Sequence, residues 1–158
     1  MAWTSPKTFS ANAVLTASEL NTHLRDNLKA LTEWTTYTPT WAGTGGTPTI
    51  GNGTLTGRYI SAGDLCHVNI KLLWGSNTTA NTATAWTLTL PVTAAGSALL
   101  MVAANDFGTG VHVGSARIDS GDTTVQMFNH GSGTAFGATT PFTWTNQDNL
   151  YISGTYEI

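Results

Sequence analysis

The sequence predicts a mainly β protein, with an N-terminal amphipathic, coiled-coil-like helix leading into an antiparallel β-sandwich of jelly-roll type. Three observations carry that expectation. One stretch, residues 15–34, repeats leucine at helical spacing. Almost everything after it alternates apolar and polar residues in short runs separated by turn residues. Charged residues are only 9% of the chain, where a globular domain carries about a quarter, and Thr, Gly, Ala and Asn take their place. The chain divides accordingly into an arm with an oligomerisation and attachment helix, residues 1–36, and a sandwich head, residues 37–158.

Residues 1–10 read as an extended arm carrying Trp3, Pro6 and Phe9. These side chains have no periodic neighbours, so the arm is either an anchor that docks on a neighbouring copy or another protein, or a free tail. The helix start is doubly marked. Thr16 and Glu19 form a T-x-x-E capping box, and Leu15 and Leu20 have the spacing of a hydrophobic staple. Leu20, Leu24, Leu28 and Leu31 follow on one face. In heptads, Val14, Ala17, Asn21, Leu24, Leu28 and Leu31 alternate between a and d, while Arg25, Asp26, Lys29 and Glu33 stay off the seam. A run of threonines and then Pro39 stops the helix. Its leucines can cover a sheet of the same chain or meet other copies. The narrow stripe and the position at one end of the chain favour self-association, because a lone helix this short is marginal in water.

The β region opens with YTPTWA, residues 37–42, where Pro39 marks an edge or a strand start. Residues 43–53 form a Gly-rich loop that lacks the Lys-Ser or Lys-Thr ending of a phosphate loop, so its glycines are read as turn residues. Residues 54–61 make the next strand and Gly63-Asp64 a turn. Residues 65–74 are the clearest strand, with Cys66, Val68, Ile70, Leu72 and Trp74 on one face and His67, Asn69 and Lys71 on the other. A polar loop at 76–84 precedes a strand at 86–90, ended by Pro91. Residues 98–104 are continuously apolar and are expected to be buried on both faces. Strands at 111–118, 123–129 and 150–158 complete the set, with a turn at Ser120-Gly121-Asp122. Short strands at this spacing mean a sandwich or barrel.

Several function classes are disfavoured. The net charge is −3, and the six Lys plus Arg are scattered, which argues against nucleic acid as a partner. Cys66 stands alone, which excludes a disulfide framework and a cysteine zinc site. No run is long enough for a membrane helix, and MAWTSPKTF lacks a signal-peptide core, so no membrane insertion and synthesis in the cytoplasm are expected. His23, His67, His112 and His130 fit no metal-binding spacing, and there is no G-x-S-x-G elbow. The nearest approach to a reactive cluster is Asp106, His112 and His130 at loop ends, where solvated loop residues are the simpler reading. No metal, cofactor or enzymatic activity is expected. Of the tryptophans, Trp74 and Trp86 fit core positions, whereas Trp41 and Trp144 flank loops. Trp144, with Asn146 and Asp148 after it, is the best patch for a neutral sugar, and Asp106 and His130 are further candidates for ligand contact. The competing reading is a tryptophan that plugs the end of the sandwich.

The succession LTASELNTHLRDNLKAL, YTPTW, GNGTLTGRY, an alternating strand and WTLTLPV, covering roughly residues 3–92, resembles the minor tail and tail-fibre proteins of tailed bacteriophages. The resemblance implies a virion component assembled in the host cytoplasm. It implies a homotrimer attached to other tail or baseplate proteins through the N-terminal helix, with a β-rich head that contacts the host surface; the charge-poor, Thr- and Asn-rich composition with aromatics near loops adds the expectation of a neutral surface glycan as the ligand. It carries over no catalytic residues. A baseplate, collar or capsid-decoration part without a host ligand, and a glycan-active enzyme, are the alternatives.

Overall fold

The computed structural model describes residues 4–158, so the expected anchor at Trp3 lies outside the described residues. The expectation of one helix over 15–34 is corrected in length and in kind. The helical run comprises α1 (Ala17–Leu20), a π-helical stretch (Asn21–Arg25) and α2 (Asp26–Ala30). The capping box forms: the Glu19 amide donates to the Thr16 hydroxyl at 3.2 Å, and the Thr16 amide donates to the Glu19 carboxylate at 2.9 Å. Leu15 and Leu20 are both exposed. The π turn inserts a residue into the ladder and breaks the regular heptad register between the two α-helical ends.

Nine strands follow: β1 (Thr35–Tyr37), β2 (Trp41–Thr44), β3 (Thr54–Ala62), β4 (Leu65–Leu73), β5 (Thr84–Thr89), β6 (Ala98–Asp106), β7 (Gly110–Ile118), β8 (Thr124–Asn129) and β9 (Asn149–Glu157). The expected division at residue 36 falls inside β1. All nine join one antiparallel sheet in the order β1-β3-β4-β9-β6-β7-β8-β5-β2. The expected jelly-roll sandwich, two facing sheets, is thus replaced by a single curled sheet. YTPTWA is two strands and not one, because Pro39 cannot donate to a ladder and breaks the run. β1 and β2 lie at opposite edges of the sheet, although only residues 38–40 separate them. The curl brings those edges together. The Tyr37 hydroxyl donates to the Thr89 carbonyl at 3.3 Å, and the Thr89 amide donates to the Thr40 carbonyl at 3.1 Å.

Alternation sets which face is enclosed. Cys66, Val68, Ile70 and Leu72 of β4 are at most 1% exposed, and Leu100, Val102, Ile118, Val125, Met127 and Ile152 meet them in the same core. One end of that core is aromatic. Trp41, Trp74, Trp86 and Trp144 pack with ring centroids 4.7–6.1 Å apart, and Phe142 lies 4.5 Å from Trp144. Offset and edge-on pairs of this kind add to the gain from area burial alone. The indole N–H groups of Trp86 and Trp144 donate to the carbonyls of Ala83 and Gly137. The β3–β4 hairpin turns at Gly63, whose φ of +59° favours glycine.

β6 corrects a further expectation. Leu99 and Met101 are exposed, while Leu100 and Val102 face the core. The strand is apolar on both faces but buried on only one.

Candidate functional site

Three surfaces and one interior cluster bear on function. The first surface is the helix. Leu24 and Leu28 are 55% and 58% exposed, and Leu20 and Leu31 are also exposed, so the body of the same chain does not cover the seam. What the helix does bury is Asn27 and Ala30. The Asn27 carboxamide accepts from the Thr4 amide at 2.9 Å and donates to the Thr4 carbonyl at 2.7 Å, as a strand neighbour would. The His23 ring lies 3.1 Å from the Ser5 carbonyl oxygen, and Lys7 pairs with Glu19. The arm therefore folds back along the helix from residue 4 onward. Together with the capping bonds, the Lys7 ammonium holds the Glu19 carboxyl down at about 2, from an ordinary 4.5. Arg25–Asp26 and Lys29–Glu33 are surface pairs away from the leucines. Trp34 ties this unit to the sheet: the Arg58 guanidinium sits 4.5 Å from its ring centroid, and His67 meets it edge-on at 5.6 Å.

The second surface is the outer face of β6 and β7, where Leu99, Met101, Val111 and Val113 are all exposed. Val113 lies opposite Ala103, and Ala103 opposite Tyr151, so this apolar strip continues onto β9. Sequence reasoning missed it by enclosing residues 98–104; Arg117 and Ser115, opposite Leu99 and Met101, are the polar partners that could have signalled an open face.

The third surface is a groove of about 500 Å³ on the outer face of β1, β3, β4 and β9, lined by Thr36, Thr56, Gly57, Arg58, Asn69, Lys71 and Tyr151. Register explains its make-up. Arg58 pairs with Asn69 and Thr36, and Lys71 with Thr56 and Tyr151, so all these side chains fall on the face opposite the core.

The interior cluster corrects the proposed sugar site. Trp144 is 6% exposed and stacks within the indole cluster, so it plugs the core and offers no platform. Asp148 is fully buried: its carboxylate accepts from the Phe107 amide at 2.9 Å and the Thr145 amide at 2.5 Å. Asn146 is exposed on the intervening loop, Asp106 is half-buried at the end of β6, and His130 is exposed beside Val113, to whose carbonyl its amide donates. His112 packs its ring against Phe142. Among the described residues no three His, Cys, Asp or Glu side chains come together to hold a metal. Cys66 is enclosed by the core, and burial pushes its thiol pKa up, away from the reactive thiolate.

A curled β body with an arm-braced, leucine-faced helix at its edge defines a protein organised around exposed surfaces. Comparison with known proteins points the same way. The chain is 36% identical over 113 residues, 69% of its length, to the Mu-like prophage FluMu defective tail fiber protein of Haemophilus influenzae, and it spans 18% of that protein. The sequence is thus similar to part of a phage tail-fibre protein. No family model and no solved structure matches it. No helix among the described residues is long and apolar enough to cross a membrane.

Proposed function

We propose that the protein is a structural component of a bacteriophage tail, a tail-fibre or minor tail protein. It assembles in the host cytoplasm, resides in the virion and is not an enzyme. The observation that carries this reading is the 36% identity with a prophage tail-fibre protein. The exposed leucines of the helix support it, since a run of four leucines left in water is stabilised by other copies of the same helix. In this reading the copies form a homotrimer through Leu20, Leu24, Leu28 and Leu31, the arm and helix attach to neighbouring tail proteins, and the curled sheet projects as the head. Trp144 and Asp148 are excluded from contact with a host glycan by their burial.

The test is location. Antibody against the chain, applied to purified particles in the electron microscope, should label the tail. Label on the capsid alone, or absence of the protein from the particles, overturns the reading.

A further inference from the structure

We propose that the groove between Thr36 and Tyr151 binds an anionic saccharide, one bearing carboxylate or phosphate, with Arg58 and Lys71 holding the anion. The chain has six Lys plus Arg. Four are spent on ion pairs: Lys7 with Glu19, Arg25 with Asp26, Lys29 with Glu33, and Arg117 with Asp119. Among the described residues the other two, Arg58 and Lys71, have no carboxylate partner, and both line this groove. No acidic side chain lines it. Each cation is instead placed by an aromatic ring: Arg58 lies over Trp34, and the Lys71 ammonium is 5.4 Å from the Tyr151 ring centroid. Ring contact orients these side chains without neutralising them, so their charge stays available to a ligand.

Geometry supports the class of ligand. Arg58 and Lys71 hold diagonal positions on neighbouring strands, whose backbones lie about 7–8 Å apart along the face, so both charges border one groove. Around them Thr36, Thr56 and Asn69 offer hydroxyl and amide groups for sugar hydroxyls, and the exposed Tyr151 ring offers an apolar wall for C–H faces. A nucleic acid would need a longer track of cations than two. The groove's volume is that of a small-ligand site. The proposal rests on these residues and not on the tail reading, so its failure would leave the protein's place in the virion untouched.

The test is titration of the purified full chain, followed by backbone amide NMR shifts and calorimetry. The probes are an oligogalacturonate, glucose 1-phosphate, a neutral maltooligosaccharide, inorganic phosphate, oligothymidylate and a poly-glutamate peptide. The proposal expects saturable binding of the uronate or the sugar phosphate, with shifts at Thr56, Asn69 and Tyr151, and which of the two binds identifies the anion. Lys71→Gln and Arg58→Gln should each weaken that binding at least tenfold. Thr56→Glu, which keeps both cations but sets a carboxylate opposite Lys71, should abolish it, with unchanged thermal melting confirming that the variants fold. Equal binding of the neutral sugar, equal binding of bare phosphate, tighter binding of oligothymidylate or poly-glutamate, or no binding of either anionic sugar overturns it.

Discussion

Asp148 shows how one side chain can serve architecture where its neighbours suggest a ligand. A tryptophan followed by Asn, Gln and Asp has the composition of a sugar-binding loop and equally that of a capped turn. What separates the two is Phe107, which is 41 positions away and donates its amide to Asp148. No local pattern reveals such a partner. The Asp148 carboxylate, together with its carbonyl, which accepts from the Trp74 amide, joins three segments of the chain. Asp148→Ala strands two amide donors and should cost about 3 kcal/mol in a urea melt, whereas Asn146→Ala on the exposed loop should cost under about 0.5 kcal/mol. Glu19 is the opposite case: its role was legible because Thr16 and Glu19 are only three residues apart. Its carboxyl is held below its unfolded value, so the stabilisation it gives is fully present above pH 4.5 and is lost as pH falls through about 2. Amide exchange at residues 16–20 should therefore accelerate across that window while the sheet amides stay protected, and Glu19→Gln should remove the pH dependence.

At the level of elements, period-2 alternation located the strands that face a core on one side. It fixed β4 to within a residue and placed Cys66, Val68, Ile70 and Leu72 inward. It failed for β6, because an apolar outer face left exposed and an apolar outer face buried in a core look alike within one strand's sequence. The π stretch was invisible for a different reason: leucines at three- and four-residue intervals are compatible with one extra residue in a turn. Gly57 illustrates a residue whose meaning appears only when strands pair. A Cβ there would meet the Tyr37 ring at 2.3 Å, since Tyr37 lies opposite Gly57 in the β1–β3 ladder and lays its ring over the bare backbone. Gly57→Ala should displace that ring and cost about 1–3 kcal/mol by overpacking. Tyr37→Phe keeps the ring and loses only the bond to Thr89, and should cost about 1 kcal/mol; a larger loss for Tyr37→Phe than for Gly57→Ala in urea melts would contradict this account.

For the molecule as a whole, the sequence supports a mainly β body and a helix apart from it, but strand order depends on pairings over long separations that composition does not encode. The last strand, β9, lies in the middle of the sheet between β4 and β6. The helix seam can be tested without disturbing that body. Leu24→Asp combined with Leu28→Asp should reduce the mass in light scattering from a trimer's to a monomer's at micromolar concentration. The sheet should melt within about 0.5 kcal/mol of the parent, as expected for exposed positions. A monomer mass for the unmutated chain would contradict the seam's role.

The path from β1 to β2 also sets how the body would respond to a mechanical pull. Tension arriving through α2 would meet Trp34 first, held by Arg58 and His67, and then Thr35, on a three-residue edge strand whose bonds to β3 would open one after another. It then reaches the buried Pro39 and Trp41, whose indole packs edge-on against Trp74 and Trp86. In a pulling experiment the three-residue β1 should therefore detach before the nine-residue β4–β9 ladder opens.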